Sequence, residues 1–105
     1  MSEDNGSPTI VDQRDASRFV LEQDGSEAEL TYRLRGEELV LVHTGVPEAL
    51  GGRGIGGTLV RAAVERAADE GLTIAPWCSY ARKWLRDHED EASRVSINWA
   101  EPPQH

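Results

Sequence analysis

Apolar residues along the chain follow two different spacings. Phe19-Val20-Leu21 is a short apolar run closed by Asp24-Gly25, a pair suited to a hairpin turn. Leu30, Tyr32 and Leu34 then alternate with Thr31, Arg33 and Arg35, the period of a strand with one buried face. After a turn at Gly36-Glu37, the unbroken run Leu39-Val40-Leu41-Val42 suits a strand covered on both faces. The short turns imply an antiparallel meander of three strands. Pro47 ends the third. From Ile55 the period is helical: Ile55, Leu59, Ala63 and Ala67 make one stripe, widened by Val60 and Val64. Arg61–Glu65 and Arg66–Glu70 stand four apart on the expected outer side, and Gly71 stops the helix. Leu72–Ala75 reads as a strand parallel to the one before the helix, because a helix joins them, and Pro76 sits near its end. A second helix is predicted from about Ser79 to His88 with Trp84, Leu85 and His88 inward. Val95, Ile97 and Trp99 alternate and mark a short last strand. The expected architecture is an α/β sandwich.

The chain has 105 residues, room for one compact domain. Residues 1–9 are polar and are expected to form a flexible arm, 10–100 the domain, and 101–105, with Pro102-Pro103, a flexible tail. Asp and Glu number 19 against 11 Lys and Arg, a formal net charge of −8. Nucleic acid is not expected as a partner, since its phosphates meet a like charge. A cationic amine would be drawn to the surface, although acidity also serves solubility alone. The single cysteine, Cys78, excludes an internal disulfide and a multi-cysteine metal site. With no signal peptide recognised at the N-terminus, it points to the cytoplasm. Apolar runs fall far short of the roughly 20 residues of a membrane helix, and the oligomeric state is left open.

The stretch Gly51-Gly52-Arg53-Gly54-Ile55-Gly56-Gly57-Thr58 opens directly into the first predicted helix. Amides at a helix start point outward without partners, glycines let a ligand approach the backbone, and the helix dipole favours an anion there. Phosphate or pyrophosphate is the ligand chemistry this predicts. Gly52, Gly54 and Gly57 formally fit the dinucleotide fingerprint. However, Pro47–Leu50 separate the loop from the strand, and the next strand ends in Trp77-Cys78-Ser79 instead of an acid. The Gly-Lys-Ser/Thr of a Walker loop is absent.

His43-Thr44-Gly45-Val46-Pro47-Glu48-Ala49-Leu50, followed by Gly52-Arg53-Gly54-Ile55-Gly56, Leu59-Val60 and Pro76-Trp77-Cys78, resembles the minimal single-domain GNAT (GCN5-related) N-acetyltransferases over roughly residues 17–90. The resemblance implies a GNAT-like mixed sheet, with antiparallel N-terminal strands followed by strand, glycine loop, helix, strand and helix. It implies acetyl-CoA between the strand ending near Val46 and the strand ending near Cys78. The pantetheine arm would pair with backbone near Val46, and the pyrophosphate would meet the amides of Gly52 to Thr58. Arg53 would add a charged contact. Where the family's pattern usually has Gln or Arg this chain has Gly51. Gly45 stands where the minimal family often has an acid, which removes a possible general base.

Acetyl transfer needs a neutral amine, a polarised thioester carbonyl and a proton for the departing thiolate. Cys78 stands where a strand meets a helix start, a place that favours the thiolate. It could accept the acetyl group, protonate the leaving group, or only pack. Tyr80 lies in the helix where larger GNAT enzymes carry an acid tyrosine. His43 is chemically suited to base work, but a strand-end histidine hydrogen-bonded in place is the favoured reading; Glu48, the nearest loop carboxylate, would orient an amine or simply be a solvated loop acid. His88 and His105 show no metal-ligand spacing. The expected function is transfer of acetyl from acetyl-CoA to a small amine or a protein lysine. The alternative is a CoA-binding module with little catalysis.

Overall fold

A computed structural model describes residues 9–102. The elements run in the order β1 (Thr9–Gln13), β2 (Arg18–Gln23), β3 (Ser26–Arg35), β4 (Glu38–Gly45), α1 (Ile55–Glu70), β5 (Thr73–Pro76), α2 (Ser79–Asp87) and α3 (Glu89–Ala92), and β2 to α2 fall where the sequence pattern puts them, whereas β1 and α3 were not expected. One sheet runs β1-β2-β3-β4-β5. Its first four strands form an antiparallel meander, and β5 lies parallel to β4. The β2–β3 turn uses Asp24 and Gly25, both at positive φ (54° and 77°), as a two-residue hairpin of this twist requires.

The helices cover one face of the sheet. Phe19, Leu21, Ala28, Leu30, Tyr32, Leu39, Leu41 and Ile74 point into that layer. There they meet Ile55, Leu59, Val60, Ala63, Val64 and Ala67 of α1, and Ala81, Trp84 and Leu85 of α2. The α1 stripe is thus the one read from the sequence. Gly71 ends α1 in the left-handed region at φ 69°, with its N–H donating to the Ala67 carbonyl.

Several expectations are corrected. β1 was not expected, and Thr9 belongs to it; the remainder of the expected arm, residues 1–8, and the tail residues 103–105 lie outside the described residues. β1 was hard to read because its inward positions are Ile10 and Asp12, paired with Leu21 and Phe19. The carboxylate is accommodated there by Arg66 at 3.0 Å and by the Tyr32 hydroxyl, which donates to it at 2.5 Å. Arg66 also donates to Tyr32 Oη at 2.8 Å. The cluster ties β1, β3 and α1 together, since a buried charge needs such partners. Arg66 is therefore a buried residue, not an outer one, although it does meet Glu70 at 3.3 Å. Arg61 pairs with Glu91 of α3, not with Glu65.

His88 is exposed, not inward. It follows α2, stacks on Trp84 with centroids 3.9 Å apart, and its Nδ1 lies 2.8 Å from the Trp84 carbonyl. The last strand shrinks to a single parallel bridge, Ile74 to Ile97. The Ile74 N–H donates to Ser96 and the Asn98 N–H to Ile74, which covers part of the free edge of β5.

Candidate functional site

β4 and β5 pair from Glu38–Thr73 to Leu41–Pro76 and then separate. The Leu41 carbonyl closes the ladder by accepting from the N–H groups of both Trp77 and Cys78. The chain then turns into α2, with Cys78 as its N-cap residue. β4 continues to Gly45 alongside β3 alone. A bulge aids the separation: Thr31 faces His43 and Tyr32 faces Leu41, so Val42 has no partner. An inserted residue bends its strand and reverses the alternation beyond it. Thr44, opposite core residue Leu30, therefore faces the helices. His43, opposite Thr31, faces the uncovered side of the sheet.

Between β4 and α1 the chain makes a short 3-10 turn, Glu48–Leu50, and Leu50 anchors it in the core. The Gly51 N–H is used there, donating to the Glu48 carbonyl. Gly52 and Gly54 hold φ values of 78° and 71°, which favour glycine. At the other end, the Thr58 N–H and hydroxyl both donate to the Gly54 carbonyl at 3.1 Å. Gly51 and Thr58, expected to offer amides to a ligand, thus spend them on the loop and the helix. The amides from Gly52 to Gly57 have no acceptor among the described residues.

This end of α1 opens on a cleft of about 440 Å³, lined by Thr44, Val46, Pro47, Glu48, Gly51, Gly52, Gly54, Ile55, Gly56 and Tyr80. Two of the glycines have a packing reason. A Cβ on Gly56 would lie 2.8–2.9 Å from the ring and hydroxyl of Tyr80, and one on Gly57 would strike the Trp84 indole. Arg53 is turned away from the cleft: its Nη1 bonds Asp24 of the β2–β3 turn at 2.7 Å.

Of the candidate reactive groups, Tyr80 lines the cleft, Cys78 stands next to it against Thr44, and His43 does neither. The Cys78 Sγ, half-buried, lies 3.3 Å from the hydroxyl of Thr44. Tyr80, 44% exposed, stands in the first turn of α2 over the head of α1. His43 is exposed beside Gly45 on the other face, where a Cβ on Gly45 would approach its Nε2 to 3.5 Å. The sequence reading missed Thr44 as a site residue. Its only signal was its place in the His-Thr pair, whose facing depends on the bulge. Among the described residues, no cluster of His, Cys, Asp or Glu could hold a metal ion. No described helix is long and apolar enough to cross a membrane.

The model of the GCN5-related N-acetyl-transferase family matches residues 18–95. Protein NATD1 of Homo sapiens is 33% identical over 89 residues, which cover 81% of this chain and 79% of the relative. Protein NATD1 of Gallus gallus shows the same identity, with 81% of each covered. The NMR solution structure of a GCN5-like protein from Staphylococcus aureus superposes with a TM-score of 0.69 at 31% identity. It covers 92% of this chain and 94% of its own.

Proposed function

Because the chain belongs to the GCN5-related N-acetyltransferase family and is an acyltransferase of that kind, we propose that it moves an acetyl group from acetyl-CoA to an amine. The observation that carries this reading is the set of amides from Gly52 to Gly57, which lack acceptors among the described residues, at a loop whose Gly52, Gly54, Ile55 and Gly56 line the cleft. Unpaired N–H groups at the head of a 16-residue helix are a fitting receptor for a diphosphate. The backbone of β4 beyond Leu41 has a strand on one side only, so a pantetheine arm can lie along its free edge near Val46. Acetyl-CoA supplies an activated thioester. The residues of the chain bind it, orient it and manage protons.

The amine nitrogen attacks the thioester carbonyl carbon, a C–N bond forms and the C–S bond breaks. The amine proton passes to a base or to water, and the departing thiolate takes up a proton. Cys78 and Tyr80 are assigned to the side of the leaving sulfur, where either S–H or O–H can deliver that proton. Cys78 is alternatively a transient acetyl acceptor: its sulfur replaces that of CoA, and the amine then displaces it. His43 is assigned to the uncovered sheet face, where an amine arriving through the gap between β4 and β5 would meet it. The acceptor is a cationic small amine or an exposed lysine, drawn by the net charge of −8.

Two observations favour a second reading, a CoA-binding module with little turnover: Gly45 stands where the resemblance to the minimal family leads one to expect an acid, and His43 does not line the cleft. Calorimetric titration with CoA, followed by release of free CoA thiol with a panel of amines, separates the two. Binding with thiol release above buffer, diminished in Cys78→Ala, supports the enzyme. Binding without release for every amine supports the module, and no heat with either CoA or acetyl-CoA sinks both.

A further inference from the structure

We infer that Thr44, which lines the cleft, is a positioning residue whose hydroxyl holds the Cys78 sulfur in one orientation. This rests on the reading that Cys78 stands beside the reacting acetyl group. The two side chains come from opposite banks of the gap, Thr44 from β4 and Cys78 from the start of α2, and Oγ1 lies 3.3 Å from Sγ. Among the described residues, Thr44 is the one hydrogen-bond partner of the Cys78 side chain. The backbone of Thr44 is fixed opposite Leu30, and a β-branched side chain has few rotamers, so the hydroxyl is held in place before any ligand arrives.

The Val42 bulge makes the contact possible. Leu41 faces the core, so an unbroken strand would bring His43 to the helix side and send Thr44 to the open face. With the extra residue the two exchange sides, and a hydroxyl replaces an imidazole at the sulfur. A hydroxyl both donates and accepts. It accepts from the thiol S–H, and it donates to a thiolate in a charge-assisted bond about twice as strong as a neutral one.

Cys78 is the only cysteine, so thiol alkylation reports on it alone. The test follows iodoacetamide alkylation from acid to alkaline pH, without CoA, in the wild-type chain and in Thr44→Val, Thr44→Ala and Thr44→Ser. The two hydroxyl-free variants, which cannot donate to the sulfur, are expected to react about tenfold more slowly near neutral pH, the scale of one charge-assisted hydrogen bond. Thr44→Ser should track the wild type. Alanine accompanies valine in case valine disturbs folding, and circular dichroism verifies each chain. Hydroxyl-free variants that superimpose on the wild type would overturn the inference, as would a serine variant slowed as far as they are. Since no CoA is present, absence of amine turnover would remove the proposed function without altering this result.

Discussion

A Cβ on Gly57 would enter the space of the Trp84 indole, which is only 8% exposed and has little freedom to move aside. Gly57→Ala is therefore expected to lower stability by about 1–3 kcal/mol, the usual range for overpacking, in a urea titration. Gly56→Ala meets the half-exposed ring of Tyr80, which can swing outward, so its loss should be clearly smaller. Equal losses would show that the two aromatic contacts are not what selects these glycines. The density of glycine at a helix start was legible in the sequence and motivates the proposed anion site. That two of the glycines also make room for aromatic side chains was not, because the distance between α1 and α2 is set by tertiary packing. Nor was Arg53's choice of partner legible, since Asp24 lies 29 positions away and reaches it only once the hairpin is folded.

The long, strongly periodic elements were read correctly, and the failures share a physical cause. α1 declares itself by its apolar stripe and its terminal glycine, and β2 to β5 by apolar runs between turns. β1 hid because Asp12 occupies an inward position that only Arg66 and Tyr32 make tolerable. The last strand was overstated because Ile97 alone reaches the edge of β5. The bulge at Val42 lies inside an apolar run that gives no sign of an extra residue, so the facing of His43 and Thr44 was out of reach of pattern alone.

Ion pairs between elements make a pH prediction. The Arg14 hydrogen bond, joined by Arg66, holds the Glu70 carboxyl below its ordinary value. Burial pushes Glu91 upward, but hydrogen bonds from Arg94 and Arg61 outweigh it and leave its value lowered. A carboxylate with a depressed folded value stabilises fully above the ordinary Glu value of 4.5, and the contribution fades as the pH falls through the lower folded value. Thermal melts should thus show a midpoint that drops below that pH, and Glu91→Gln should shrink the acid-induced part of the drop. An unchanged acid limb in Glu91→Gln would show that the ties from α3 to Arg61 and Arg94 do not matter for stability.

At the scale of the whole molecule, helices cover one face of a five-stranded sheet whose parallel pair opens beyond Leu41. The head of α1, the free edge of β4 and the start of α2 meet at that opening. The formal net charge of −8 opposes an anionic ligand at long range, so binding must come from local donors. Arg53 is already paired with Asp24, which leaves neutral backbone amides as the proposed receptor. Amide-resolved NMR with stepwise addition of CoA tests this most directly. The account predicts that the N–H signals of residues 52 to 57 shift first and farthest, with those of Val46 and Cys78 following, while Gly51 and Thr58, whose amides are already bonded, move less. Saturable CoA binding that leaves residues 52 to 57 unmoved and shifts a different surface would contradict it.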